Sequence, residues 1–103
     1  MTKHNKLVRD KIPSIIEANG EKTVTIILDN EEYKKELDKK ILEEIKEYLK
    51  SDDVEELADV LEVIYAILEY KKLTMNDLEN IRKMKKEKRG GFVDCIFLIE
   101  TIR

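Results

Sequence analysis

EEIKEYLKSDDVEELAD, residues 43–59, decides how this chain folds. Ser51-Asp52-Asp53 punctuates it. The stretch therefore predicts two consecutive helices joined by a short turn, with a pair of carboxylates on each. Glu44 and Glu47 are three apart, and so are Glu56 and Asp59, so each pair shares a helix face. Glu43 stands beside the first pair, on the face of Glu47 one turn on. At about 100° per residue, Glu56 lines up with Val60, Val63 and Ile67, and Asp59 with Val63, Ala66 and Tyr70. These positions are expected to face the interior. An unpaired charge there is costly. Two acid pairs facing each other across a helical hairpin need something positive between them, and a divalent metal is the simplest answer.

Working outward, the helix after the turn is predicted over about 52–71, with Ser51 able to cap it and both aspartates suited to its positive N-terminus. Leu57, Val60, Leu61, Val63, Ile64, Ile67 and Leu68 cover most of its girth, which predicts a central helix touched on several sides. The helix before the turn is predicted over about 30–50, with Asp29 as N-cap and Glu32 completing a capping box. Leu37, Ile41, Ile45 and Tyr48 form its apolar face. Further back, TVTIIL at 23–28 reads as a short strand from its β-branched content. KIPSIIEA before it reads as a short helix capped by Asp10, with Pro13 tolerated in the first turn and Asn19-Gly20 ending it. Beyond the central helix, Thr74 and Asp77 form a capping box for a fourth helix that runs to about Arg89, where Gly90-Gly91 stops it. The tail FVDCIFLIETI reads as a second strand that could pair with 23–28.

The whole is expected to be one mainly α domain over residues 1–103, a four-helix bundle with two short accessory strands. At 42% hydrophobic and 42% charged, with three Gly and one Pro, the chain suits a folded helical domain rather than a disordered one. The net charge of −3 excludes nothing, but its distribution is uneven. Lys3, Lys6, Arg9 and Lys11 make the N-terminus basic, the middle is acidic, and RKMKKEKR at 82–89 is strongly basic. The one cysteine, Cys95, rules out an internal disulfide and lies in an apolar run, as a core residue would. No apolar core follows the N-terminal lysines and no run approaches a membrane span, so a cytoplasmic protein without a membrane segment is expected.

Carboxylates with one His and one Cys favour hard, oxygen-seeking cations, Mg²⁺ first and Mn²⁺ second. Zinc is disfavoured because the only His is His4, near the N-terminus. A di-iron bundle wants Glu-x-x-His, and neither acid pair contains His. No EF-hand loop, glycine-rich phosphate loop or serine-hydrolase elbow is present. An acidic Mg²⁺ cluster in a helical bundle remains, a device used to hydrolyse phosphate esters and anhydrides. The cations then become candidate phosphate ligands. Lys85, Lys88 and Arg89 lie within about one helical turn of each other, and Lys6 and Arg9 form a second group. Compensation of the helix dipole is the plain alternative for the first set.

EEIKE at 43–47 and ELAD at 56–59 match E-E-x-x-E and E-x-x-D. Together with NKLVRDKIPSIIEANG at 5–20 and KMKKEKRGGF at 83–92, they make the chain resemble the MazG-like nucleotide pyrophosphohydrolases. This all-α superfamily also includes dimeric dUTPases and phosphoribosyl-ATP pyrophosphohydrolase. The stretches at 5–20 and 83–92 look like the opening and closing motifs of a short single-domain branch of it. The resemblance implies Mg²⁺-dependent hydrolysis of a nucleoside triphosphate to a monophosphate and pyrophosphate, with clearance of non-standard nucleotides as a role. By motif it implies Glu44, Glu47, Glu56 and Asp59 as metal ligands, with Glu43 as a ligand or water-orienting base beside Glu44 and Glu47. It also implies assembly as a homodimer or tetramer. The apolar third helix independently favours a homo-oligomer.

Two alternatives stand beside this expectation. Phosphoribosyl-ATP hydrolysis is the enzymatic one, and the KLVRDKIP opening argues against it. A non-catalytic helical interaction module, its acids merely solvated or paired to lysines, is the other. Binding to a nucleic-acid polymer is weaker, since the basic segment is short and stacking aromatics are few.

Overall fold

A computed structural model describes residues 2–103. Among these residues the chain forms four helices, α1 (Ile12–Ala18), α2 (Asn30–Ser51), α3 (Val54–Tyr70) and α4 (Met75–Arg89), and no strand. The protein is mainly α. The chain divides into two compact units, one running to Lys72 and the other spanning Leu73–Arg103.

The first unit is built on the hairpin of α2 and α3, which pack against each other. Asp29 starts α2: its side chain accepts the Glu32 N–H at 2.8 Å, with Glu31 and Glu32 in the first turn against the positive helix end. The turn is two residues long. Asp52 adopts a left-handed conformation, φ 56°, and its N–H donates to the Tyr48 carbonyl at 2.7 Å. An aspartate tolerates that conformation better than most residues. Asp53 then caps α3 by accepting the Glu55 N–H at 3.0 Å. The expected cap, Ser51, is instead the last residue of α2, and its hydroxyl accepts the Asp53 N–H at 3.2 Å. A cap must sit just outside the helix it starts, and α3 starts two residues later than its polar punctuation suggests.

The hairpin core is narrow. Leu37 on α2 and Val63 and Leu68 on α3 are buried, each worth about 1.5–3 kcal/mol relative to exposure. Leu57 and Leu61, expected in the interior, are exposed, as are Leu42, Ile45 and Leu49 on α2. In α1, Pro13 sits in the first turn, but Asp10 is not the cap. Lys11 holds that position without a side-chain bond, and the Ile12 N–H donates to the Arg9 carbonyl at 3.0 Å. Gly20, at φ 93°, follows the end of α1, where a side chain would be strained.

Residues 23–28 do not form the expected strand. They run without regular structure, with Val24 and Ile27 almost fully exposed. In the second unit, α4 begins with the expected capping box. Thr74 Oγ1 accepts the Asp77 N–H at 3.1 Å, and Asp77 Oδ2 accepts the Thr74 N–H at 2.8 Å. Those bonds hold the Asp77 carboxyl below its ordinary range. Gly90, at φ 83°, closes the helix. The tail after it is not a strand either: Phe92, Ile96, Phe97 and Ile99 are exposed, and so is Cys95, expected in the core. β-branched and aromatic content favours a strand only where a partner strand completes the ladder, and neither segment has one.

Candidate metal centre

Three carboxylates converge beside the hairpin turn. Glu44 comes from α2, and Glu56 and Asp59 from the first turns of α3. Each offers an oxygen within 4.8 Å of the others. The spacing arises locally. Glu56 and Asp59 lie three apart on α3, and the two-residue turn brings the last part of α2 alongside the first part of α3. Glu44 is well covered, its side chain 13% exposed, whereas Asp59 is 39% exposed. The expected interior position of the α3 pair is thus half-open, on the rim of the hairpin seam.

Glu47 and Glu43 lie outside this triad. Glu47 acts on it through its charge. The Glu56 carboxyl is pushed above its ordinary range by partial loss of hydration, then by the hydrogen bond and charge of Asp59, and then by the charges of Glu47 and Glu44. Glu43 turns to cations instead. Lys6 Nζ donates to its Oε1 at 3.3 Å and Lys40 Nζ to its Oε2 at 3.3 Å. Partial desolvation works to raise the Glu43 carboxyl, but these two ammonium groups outweigh it and hold the group below its ordinary range. Lys40 also pairs with Glu44 at 3.2 Å. Arg9 Nη2 donates to Asp59 Oδ1 at 2.7 Å, and Arg9 Nη1 lies 3.9 Å from Glu62.

The expected basic groups therefore divide. Lys6 and Arg9 reach the acid cluster, as ion-pair partners of Glu43 and Asp59. Lys85, Lys88 and Arg89 belong to the second unit, where they line an open depression of about 310 Å³ with Ile81 and Met84. Lys40 carries no role in the sequence reading, although its spacing from Glu43 and Glu44 is that of a helical ion pair. Away from the acids, the Tyr33 and Tyr70 rings lie 6.2 Å apart at 60°. They flank an open depression of about 500 Å³ with Asn30, Ala66, Glu69 and Lys72. The Tyr33 phenol is raised by burial, then by the charges of Glu69 and Asp10. The alignment of Asp59, Ala66 and Tyr70 on one stripe was the only sequence signal for that end of the seam.

An all-oxygen donor set fits a hard divalent cation. Oxygens around one Mg²⁺ lie roughly 3–4 Å apart, and small side-chain rotations would bring the triad to that spacing. Mg²⁺ uses few protein carboxylates and completes its shell with water and phosphate oxygens, which suits a half-open triad. No family model, curated protein or solved structure matches the chain.

Proposed function

We propose that the protein is a Mg²⁺-dependent nucleoside triphosphate pyrophosphohydrolase, with Mn²⁺ as a substitute ion. The observation that carries this is the convergence of Glu44, Glu56 and Asp59 within 4.8 Å, flanked by Lys6, Arg9 and Lys40. The EEIKE, ELAD and KLVRDKIP motifs support the same activity through their resemblance to MazG-like enzymes. In this proposal Glu44, Glu56 and Asp59 would hold the ion. An ion so held supplies Lewis-acid polarisation and neutralises charge on a polyphosphate. Lys6 and Arg9 bind phosphate oxygens.

Glu47 and Glu43 are the carboxylates available to orient water. Glu43 is gripped by two lysines, which favours a positioning role. Glu47 makes no ion pair among the described residues, which leaves its carboxylate open to take the water proton. The water oxygen bonds to the α-phosphorus, the bond to the bridging oxygen breaks, pyrophosphate leaves, and the water proton passes to the carboxylate. Clearance of non-standard nucleotides is the proposed role. Assembly as a homodimer or tetramer is proposed from the exposed Leu42, Ile45 and Leu49 on α2 and Leu57 and Leu61 on α3.

Pyrophosphate release from a panel of ordinary and modified nucleoside triphosphates with Mg²⁺ tests the activity. Turnover of at least one supports it, and no turnover of any rejects it. A second reading, a non-catalytic helical module, draws on the same ion pairs, since Lys6, Arg9 and Lys40 already neutralise part of the acid cluster. It predicts no binding of Mg²⁺ or Mn²⁺ in a calorimetric titration with nucleotide.

A further inference from the structure

The segment before α1 lies against the acid cluster in a distinctive way. Leu7 and Val8 are half-buried, while the residues on both sides of them, Lys6 and Arg9, are exposed. Their charged ends reach different helices of the hairpin: Lys6 to Glu43 on α2 at 3.3 Å, Arg9 to Asp59 on α3 at 2.7 Å. Two half-buried apolar residues thus stand between two cations, of which Arg9 sits on Asp59 of the proposed metal centre and Lys6 on Glu43 beside it. Arg9 grips Oδ1 of one of the three carboxylates that would hold the ion. Both pairs are about half exposed, and pairs of that kind contribute little and are given up easily. A divalent ion among Glu44, Glu56 and Asp59 competes for the Asp59 oxygens and repels the guanidinium.

We infer that residues 6–9 form a counterion strap: Arg9 occupies Asp59 and Lys6 the neighbouring Glu43 while the centre is empty of metal, and a divalent ion displaces Arg9 by competing for Asp59 and drives Lys6 off by its charge. The displaced cations remain tethered by Leu7 and Val8, so they stay beside the centre, free to take phosphate oxygens. Metal loading and exposure of the phosphate-binding cations become one event. This rests on the metal-centre reading above, and adds to it a side-chain movement which that reading does not require.

Side-chain chemistry reports the movement directly. Phenylglyoxal modification of Arg9 in the full chain, followed by peptide mass spectrometry with and without Mn²⁺, measures its release, and Arg103 serves as the internal reference. Binding is measured in parallel from the paramagnetic signal of free Mn²⁺. Arg9 modification is expected to quicken severalfold relative to Arg103 as Mn²⁺ saturates. Arg9→Gln is expected to tighten Mn²⁺ by about two- to fivefold, the range an exposed ion pair allows. Lys6→Gln gives a smaller change in the same direction. Mn²⁺ binding with unchanged or slower Arg9 modification overturns the strap and leaves the metal centre standing. Absence of Mn²⁺ binding in both wild type and Arg9→Gln overturns both. The modification experiment needs no variant, so a folding defect in Arg9→Gln does not blunt it.

Discussion

Removing the charge of Lys40 while keeping its stem, as Lys40→Met, separates the two states of the centre. Lys40 Nζ lies 3.2 Å from Glu44 and 3.3 Å from Glu43, and the Lys40 and Glu44 side chains are 15% and 13% exposed. Coulomb's law at that separation gives about 1.3 kcal/mol at the dielectric of water and about 5 kcal/mol at an effective dielectric of 20. Desolvation and side-chain ordering offset much of the larger figure. A loss of roughly 1–2 kcal/mol is expected without metal, since Glu44 is left facing Glu56 and Asp59 with less compensation. For a domain of this size that lowers Tm by about 4–16 °C. Thermal melts followed by helical circular dichroism, without metal and with saturating Mn²⁺, measure it. With Mn²⁺ the gap between variant and wild type is expected to shrink or reverse, because the ion supplies the missing positive charge and binds more tightly without Lys40 nearby. A metal-free Tm within about a degree of wild type would refute the electrostatic account. A gap that Mn²⁺ leaves unchanged would refute the placement of the ion.

Asp59→Asn should reduce Mg²⁺-dependent turnover by more than about tenfold, roughly 1.4 kcal/mol of barrier, and a loss smaller than that in a pyrophosphate-release assay would remove Asp59 from the ligand set. Glu56→Gln should raise the metal-free Tm at neutral pH. The folded carboxyl titrates above its unfolded value, so its contribution to stability is fully present below the unfolded pKa and lost as pH rises through the folded one; melts at pH 3 and 7 should show the advantage of Gln at pH 7 only. Light scattering across a dilution series should show a dimer or tetramer, and a stable, active monomer at micromolar concentration would remove the proposed interface on α2 and α3.

The features legible in the sequence are those fixed by near neighbours along the chain. Asp29, Thr74 with Asp77, and Gly90 mark helix ends through bonds that reach only a few residues, and each stands where expected. Glu44, Glu56 and Asp59 come together because helical spacing and a two-residue turn suffice to place them. What the sequence hid depends on distant partners. TVTIIL and the tail around Cys95 have strand-like composition, but a strand needs a second one beside it, and neither composition nor pattern supplies that. Glu47 matches the motif as well as Glu44 does, yet only Glu44 lies within the triad spacing. Lys40 was hidden by abundance, since pairs at three and four residues recur along α2 in so charged a chain and few of them matter. Arg9 reaches Asp59 across fifty positions of sequence, a contact no local pattern encodes.

The central claim is that Glu44, Glu56 and Asp59 hold a divalent ion. A crystal grown with Mn²⁺ and a non-hydrolysable nucleoside triphosphate, measured for anomalous scattering from manganese, tests it most directly. The expected result is an anomalous peak bonded to oxygens of all three carboxylates, with phosphate oxygens of the nucleotide on its open side. Nucleotide bound elsewhere, or Asp59 and Glu44 still held by Arg9 and Lys40 with no manganese among the three carboxylates, would contradict it.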